Sequence, residues 1–281
     1  MIVRTLILWG LLASALTGHA SWASTCIGDV SSQQRLTFEV VPQYPHMKIL
    51  LSWGPLLERV GKASGLCFEL FVPKDIPEFE TRFSQGRADF VYLNPYHYVV
   101  AAKAQKYSAL LAEGTYKLSG LVVVKKSEST VSLKNLDGKM VAFPAPNAFG
   151  ASLLVRAMFA DQGIKIDPLY VRTHSNVYRA VIAGDVAAGG GIKATLSAEP
   201  PEVQALLKVI YESDEFSPHP IATKPTVSDG IRKAFFDAFV NCAQDMTCKK
   251  LLGQIDFVNP VKVSDADYAN VEALHIERLQ Q

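Results

Sequence analysis

Polar and aromatic side chains that suit a small solute follow two strand-like runs in the chain. Asn94 and Tyr96 lie on a turn that Pro95 fixes, directly after the apolar run from Phe90 to Leu93. Tyr44 follows an earlier apolar run in the same way. Hydroxyl and amide groups at strand ends predict hydrogen bonds to a polar ligand. The alternative is that Pro95 only ends the strand and that the tyrosines cover the edge of a core.

The chain lacks the sequence patterns of common catalytic and metal sites. It contains no Ser-His-Asp arrangement, HExxH, P-loop or GxSxG motif. Ser175 beside His174 is a pair of sequence neighbours and does not indicate a nucleophile with its base. We therefore predict that the protein is not an enzyme and has no catalytic residue, metal or cofactor.

The N-terminus has the pattern of a cleaved signal peptide. Arg4 supplies the positive charge, Leu6 to Leu16 the apolar run, and Ser21 to Ala23 the small-x-small site, so we predict cleavage after Ala23. A membrane anchor is the alternative, but the apolar run is shorter than the roughly 20 residues that span a bilayer. We therefore expect an exported protein located in the periplasm.

The four cysteines, Cys26, Cys67, Cys242 and Cys248, bear on this expectation. An even number in an exported chain favours disulfides. Cys242 and Cys248 flank a short segment, while Cys26 precedes the first predicted strand and Cys67 opens the second. If those strands are parallel neighbours, a Cys26–Cys67 bridge is geometrically natural. Metal binding or a reactive thiol is the alternative, without a CxxC pair or nearby histidines to favour it.

Short apolar runs alternate with helical patterns along the chain. The run from Arg35 to Val41 predicts a strand, and Lys48 to Ala63 then places apolar residues at helical spacing. A second series of strands and helices begins near Ser132. This alternation predicts an α/β fold of parallel βαβ units, with helices on both faces of each mostly parallel sheet.

Two such units with extra C-terminal helices predict two lobes and a ligand cleft between them. We expect the chain to cross near Lys125 to Val131 and again near Pro218 to Pro225. The predicted division is a signal peptide at 1–23, a discontinuous first lobe at 24–125 plus 222–281, and a second lobe at 126–221.

Several segments in this order are similar to a known family. They are Gly86 to Tyr96, Leu133 to Lys139, Phe143 to Pro146 and His174 to Asp185. The chain resembles the PhnD-like substrate-binding proteins, the phosphate, phosphite and phosphonate branch of the type II periplasmic binding proteins. The resemblance implies a clamshell that delivers a ligand to an ABC importer or reports it to a membrane sensor.

One turn departs from the family pattern. Where the family usually has Pro-x-Ser-Thr-Ser-Gly, this chain has Pro146, Asn147, Ala148, Phe149 and Gly150. In the family, hydroxyls and backbone N–H groups of this turn meet phosphoryl oxygens at a helix N-terminus. The hydroxyls are missing here and Phe149 brings an apolar ring, so only the backbone donors still favour an anion.

Three further positions bear on the ligand. His174 matches a family histidine at the cleft, although Ser175 or Asn176 can equally make this a helix-capping turn. Ala187 stands where phosphonate binders carry an acidic residue for an aminoalkyl group, so we do not expect an aminophosphonate. The run Gly189 to Gly191 allows close approach of the backbone to a ligand or to a packed helix.

These observations predict a monomeric solute-binding protein that closes on a small anion or small polar solute. Its partner is an ABC permease or, alternatively, a membrane histidine kinase for which it senses an oxyanion or metalloid. Balanced charge, with 28 basic and 27 acidic residues, does not indicate nucleic acid as a partner. The predicted ligand-binding residues are Tyr44, Asn94, Tyr96, Asn147, Ala148, Phe149, Gly150 and His174.

Overall fold

Twelve strands form two separate sheets in the computed structural model, which describes residues 26–127, 132–274 and 276. The strands are Ile27–Gly28 (β1), Arg35–Val40 (β2), Cys67–Phe71 (β3), Phe90–Tyr92 (β4), Ser108–Glu113 (β5), Gly120–Lys125 (β6), Met140–Phe143 (β7), Asp167–Tyr170 (β8), Ala188–Ile192 (β9), Leu207–Glu212 (β10), Ile221–Thr223 (β11) and Pro260–Lys262 (β12). The first sheet has the order β1-β3-β2-β4-β11-β5-β12, and the second has the order β10-β6-β9-β7-β8. The predicted signal peptide and its cleavage site lie outside the described residues.

Each sheet contains three parallel strands. β2 pairs in parallel with β3 and β4, and β7 pairs in parallel with β8 and β9. Helices make these crossover connections, as parallel neighbours require. The other neighbouring strands are antiparallel. The α/β class that the sequence predicts is confirmed, but the sheets are not mostly parallel, because four of the six pairings in the first sheet and two of the four in the second are antiparallel.

Helices cover both sheets. The α-helices are His46–Ser64 (α1), Ile76–Ser84 (α2), Pro95–Gln105 (α3), Val155–Asp161 (α4), His174–Ala183 (α5), Lys193–Ser197 (α6), Pro201–Gln204 (α7), Asp229–Cys242 (α8), Met246–Gly253 (α9) and Ala269–Glu272 (α10). Leu133–Leu136 and Asp265–Tyr268 are 3₁₀ turns, and Phe149–Leu154 is a π-helix that leads into α4. Within the described ranges, no helix has the length and apolarity needed to cross a membrane.

The two-residue repeat of a strand determines which face of a sheet, and therefore which apolar cluster, each side chain joins. In the second sheet Val122 and Val124 join the cluster on one face, whereas Val123 joins the cluster on the other. Such alternation follows from the two-residue repeat of a strand. The core around the first sheet contains many aromatic rings, among them Phe235 and Phe90, whose centroids lie 4.7 Å apart with the ring planes tilted by 46°.

Both predicted disulfides are present. Cys26 pairs with Cys67 at a Cα–Cα distance of 5.6 Å, which ties the segment before β1 to the start of β3. Cys242 pairs with Cys248 at 5.1 Å and closes the turn between α8 and α9. All four cysteines are therefore bonded, and none supplies a free thiol to a soft metalloid.

The chain crosses between the sheets twice, through residues 114–119 and 213–220. At the middle of these segments Leu118 and Phe216 exchange both backbone hydrogen bonds, each 2.8 Å long. We call the paired segments the hinge ribbon. The first lobe is the seven-stranded sheet with its helices, and the second lobe is the five-stranded sheet with its helices.

The first predicted crossing, at Lys125 to Val131, needs correction. β6 was placed in the first lobe, but it pairs with β10 and β9 in the second sheet. The apolar run of β6 predicts a strand without indicating which sheet the strand joins. At the second crossing, β11 lies wholly in the first sheet, so the predicted boundary at 221/222 falls inside a strand.

Candidate functional site

Two neighbouring cavities lie between the lobes and share Gln43, Ile192 and His219. The turn-side cavity has a volume of about 20 Å³, which is enough for about one water molecule. The hinge-side cavity has a volume of about 340 Å³ and reaches the hinge ribbon at Leu118. The two cavities form one cleft with a nearly filled end and an open end.

Five of the predicted ligand-binding residues come together at the turn-side cavity. They are Asn94, Ala148, Phe149, Gly150 and His174. Asn94 comes from the first lobe and the other four from the second lobe. The five residues come from distant parts of the sequence, and the resemblance predicted all of them as ligand contacts. In the folded chain all five line one space between the lobes.

Asn94 links the lobes directly. Its side-chain Oδ1 accepts from the backbone N–H of His97 at 2.8 Å, which caps the N-terminus of α3. Its Nδ2 donates across the cleft to the backbone carbonyl of Asn147 at 3.1 Å. One buried side chain therefore fixes a helix in one lobe and holds the turn of the other.

The Asn147 side chain faces the first lobe. It hydrogen-bonds the carboxylate of Glu80, whose Oε1 also lies 3.0 Å from His97 Nε2. Burial tends to raise the pKa of Glu80, but the hydrogen bonds from His97 and Asn147 outweigh it and lower the pKa. Asn147 lies at the lobe contact and does not line either cavity.

The turn after Asn147 begins a helix of unusual geometry. Ser152 and Leu153 both donate their N–H groups to the carbonyl of Ala148, and the π-helix starts at Phe149. Single π turns are rare and occur often at functional sites. The first N–H groups of any helix have no acceptor within it, and those at this end border the turn-side cavity.

The Phe149 ring accounts for much of the filling at this end. It is 1% exposed and packs edge-on against Phe216 of the hinge ribbon, with ring centroids 5.2 Å apart. Ile76, Ala148 and Ile192 add an apolar contact between the lobes. The turn therefore has backbone donors but no room beside them for an oxyanion.

His174 is buried next to the turn. Its Nδ1 lies 3.1 Å from Thr195 Oγ1, and burial lowers its pKa to about 4, so the ring is neutral at pH 7. The capping alternative was half correct, because Thr173, rather than Ser175 or Asn176, accepts from the N–H of Asn176 and caps α5.

The two predicted tyrosines lie outside the turn-side cavity. Tyr96 is buried in the core of the first lobe and lines neither cavity. The Tyr44 hydroxyl donates to Asp256 Oδ2 at 3.3 Å, and Lys48 Nζ lies 3.9 Å from the centre of its ring. Tyr44 thus supports the wall of the hinge-side cavity from behind.

His219 and Gln43 line both cavities and were missed from the sequence. The His219 ring stacks on Tyr92 with centroids 5.4 Å apart, and burial, followed by the nearby His97 and His174, lowers its pKa to about 3. Prolines on both sides of His219, at the predicted crossing, were a usable signal. Gln43 follows the first strand by one turn residue, directly before Tyr44.

The run Gly189 to Gly191 serves packing rather than a ligand. A Cβ at Gly190 would overlap the carbonyl oxygen of Ala151 and the ring of Phe143. A Cβ at Gly191 would lie 2.6 Å from the Tyr178 hydroxyl oxygen. The glycines therefore let the π-helix and α5 lie directly on β9.

Comparison with known proteins identifies the same scaffold. A family model described as "ABC transporter, phosphonate, periplasmic substrate-binding protein" matches residues 38–268. A binding-protein component of an ABC phosphonate transporter from Pseudomonas aeruginosa has a TM-score of 0.80 at 16% identity, over 88% of each chain. No sequence among curated proteins matches this chain.

Two further solved structures carry ligands. PhnD1 from Prochlorococcus marinus, in complex with methylphosphonate, has a TM-score of 0.78 at 16% identity, covering 88% of this chain and 99% of that one. XAC2383 from Xanthomonas citri, bound to ATP, has a TM-score of 0.67 at 15% identity, covering 88% of this chain and 98% of that one. At these identities the structures share a fold, which does not by itself specify a ligand.

Proposed function

Since the chain belongs to the family of periplasmic substrate-binding proteins of ABC phosphonate transporters, we propose that it captures a small ligand by closing its two lobes and delivers it to an ABC permease. The hydrogen bond from Asn94 to the carbonyl of Asn147 carries this proposal, because it joins the lobes across the cleft. Such a contact forms only in the closed state and is available to stabilise it.

The hinge ribbon supports the same motion. Two short paired segments are the covalent connections between the lobes, and the bridge between Leu118 and Phe216 lets them bend together. The cleft beside this ribbon holds the shared residues Gln43, Ile192 and His219. We propose these three residues as ligand contacts, with Asn94, His174 and the backbone at 148–150 closing the turn-side end of the cleft beside them.

The ligands of relatives leave the ligand class open within this proposal. PhnD1 is in complex with methylphosphonate and XAC2383 is bound to ATP, so proteins of this fold hold ligands of very different size. The missing hydroxyls of the 146–150 turn argue that this chain does not share the phosphonate preference of its family.

Small-angle scattering on an Asn94→Asp variant tests closure. Aspartate keeps the oxygen that caps α3 but loses the donor to Asn147, so we expect a larger radius of gyration than in the wild type. Asn176→Asp is the matched control, because Asn176 also donates to a carbonyl, that of Val171, but within one lobe. Identical scattering curves for wild type and Asn94→Asp would contradict closure through this contact.

Delivery to an importer has its own test. The mature protein is expected to stimulate ATP hydrolysis by its ABC importer reconstituted in lipid vesicles. Stimulation of a membrane histidine kinase, with no effect on any importer, would instead favour the sensor alternative.

A further inference from the structure

The hinge-side cavity has the size of a ligand site of its own. Its volume of about 340 Å³ lies in the range of pockets that hold small organic molecules, roughly 300–1,000 Å³. The turn-side cavity, at about 20 Å³, is far below that range. If the closed cleft holds an organic ligand, most of that ligand must therefore lie at the hinge side.

Two lysines and two carboxylates line this cavity, and they differ in burial and in their partners. Lys117 and Lys193 line it but are exposed at its rim, and Lys193 pairs with Glu212. The carboxylate of Glu113 is buried, but backbone N–H groups of residues 115, 258 and 259 occupy its two oxygens. Asp256 is the remaining charged group on the wall, and it is half-buried.

The carboxylate of Asp256 has one hydrogen bond from a side chain and no ion pair among the described residues. Its Oδ2 accepts from Tyr44, and Lys48, whose charge lowers the pKa of Asp256, lies over the Tyr44 ring. Burial raises the pKa of Asp256, more than the hydrogen bond from Tyr44 and the charge of Lys48 lower it. A desolvated carboxylate of this kind gains from a cationic partner.

The backbone at Asp256 is held in a strained conformation. Its φ of 58° lies in the left-handed region that residues other than glycine seldom adopt. The Tyr116 hydroxyl donates to the carbonyl of Asp256, and Glu113 accepts from the N–H groups of Val258 and Asn259. The loop is therefore fixed on both sides, with Asp256 in the wall of the cavity.

Aromatic rings surround the same wall. Tyr92, Tyr116 and Phe257 line the cavity, and burial raises the pKa of both tyrosines, so both remain neutral phenols. The faces of such rings attract cations, most strongly where water is excluded. A carboxylate with three rings beside it is a suitable environment for an amine on an apolar body.

We propose that the hinge-side cavity binds an organic cation with a primary or quaternary ammonium group. The ammonium group would lie at Asp256, and the apolar part of the ligand would pack against Tyr92, Tyr116 and Phe257. This inference rests on the proposed function, since it specifies the ligand class of the same cleft. It differs from an aminophosphonate site because the cation, rather than an oxyanion, is the group that the cavity selects.

Titration calorimetry on the mature protein tests it with defined probes. Choline and 2-phenylethylamine are the cations, 3,3-dimethylbutanol and 2-phenylethanol are their neutral counterparts, and methylphosphonate is the anion. We expect binding of at least one cation and at least about tenfold weaker binding of its neutral counterpart.

Two variants locate the site. Asp256→Asn is expected to weaken amine binding by roughly tenfold to a hundredfold, whereas Asp185→Asn, which removes a similar charge from an exposed position outside both cavities, leaves it unchanged. Tyr116→Leu is expected to weaken binding severalfold, and Tyr116→Phe, which keeps the ring, much less. Thermal unfolding of each variant checks that it is folded.

Three results would overturn the inference. The first is that the wild type binds an amine and its neutral counterpart with equal affinity. The second is that both Asp256→Asn and Tyr116→Leu bind the amine as tightly as the wild type does. The third is that the wild type binds no amine. Methylphosphonate binding without amine binding would reject the amine and leave the binding-protein function standing. Scattering of the Asn94→Asp variant judges that function separately, because it requires no ligand.

Discussion

The two ends of the cleft differ in the sequence segments that line them and in the volume that they leave free. The turn-side end carries the segments that make the chain similar to its family, yet Phe149, Ile76 and Ile192 pack it almost shut. Asp256, at the hinge-side end, lies outside those segments. This end nevertheless has the larger cavity and a half-buried carboxylate. The comparison teaches that the segments that identify the family and the space large enough for a ligand lie at different ends of this cleft.

The largest effect is expected from opening the packed end. Phe149→Ser removes the ring against Phe216 and returns a hydroxyl to the turn, at a cost of about 3–5 kcal/mol in the free energy of unfolding. We also expect tighter binding of methylphosphonate than in the wild type, because backbone donors gain an accessible space. Denaturant unfolding and calorimetry measure the two effects.

Phe149→Leu is the control for this change. Leucine keeps an apolar side chain in the same space, so its cost should stay under about 1.5 kcal/mol and methylphosphonate binding should not improve. If Phe149→Ser binds methylphosphonate no better than the wild type does, then the ring is not what closes the turn-side end.

A smaller loss of stability is expected at Gly190. Alanine there would push Ala151 and Phe143 away from β9 and cost about 3 kcal/mol, because the clash involves the backbone of the π-helix. Gly230→Ala is the matched control, since a Cβ at Gly230 meets only Ser228 Oγ, at 4.0 Å, and lies inside α8. That change should stabilise by about 0.5–1 kcal/mol. An unaffected Gly190→Ala protein would mean that the second lobe tolerates movement of the turn.

The smallest predicted change in stability, counted per pH unit, concerns the two buried histidines of the cleft, His174 and His219. Burial lowers the pKa of His174 to about 4 and that of His219 to about 3, so the unfolded chain takes up protons first as the pH falls below about 6.5. Stability is therefore lost as the pH falls from about 6.5 towards 4, by up to about 1.4 kcal/mol per pH unit for each histidine.

Unfolding between pH 6.5 and 5 measures this slope, mostly above the range in which carboxylates titrate. The double variant His174→Gln and His219→Gln should have a shallower slope than the wild type. Equal slopes would show that the two rings are as accessible to protons in the folded protein as in the unfolded chain.

Much of the scaffold could be predicted from the sequence. Apolar periodicity predicted β2, α1 and β7, and the positions of the cysteines predicted both disulfides. Strands that join a sheet from a distance could not be predicted in this way. β5 (SALLAE) lacks the β-branched residues that favour strands, and it is defined by its partners β11 and β12.

Residues of the candidate site could be predicted only where they lie in or beside a recognisable sequence motif. Asn94 and His174 were predicted because they belong to segments similar to a family, and the turn at 148–150 because it follows closely after such a segment. Asp256 had no such signal, since its left-handed backbone and its contact with Tyr44, 212 residues away in sequence, arise only in the folded chain. Tyr44 was predicted as a ligand contact, but it lines neither cavity and its hydroxyl donates to the carboxylate of Asp256.

A crystal structure of the mature protein with the tightest-binding ligand of the calorimetric series tests the central claim most directly. We predict ligand density in the hinge-side cavity, with a cationic nitrogen within about 4 Å of the Asp256 carboxylate and the Phe149 ring still packed on Phe216. Density centred on the N–H groups at 149–151, with Phe149 displaced and Asp256 uncontacted, would contradict it.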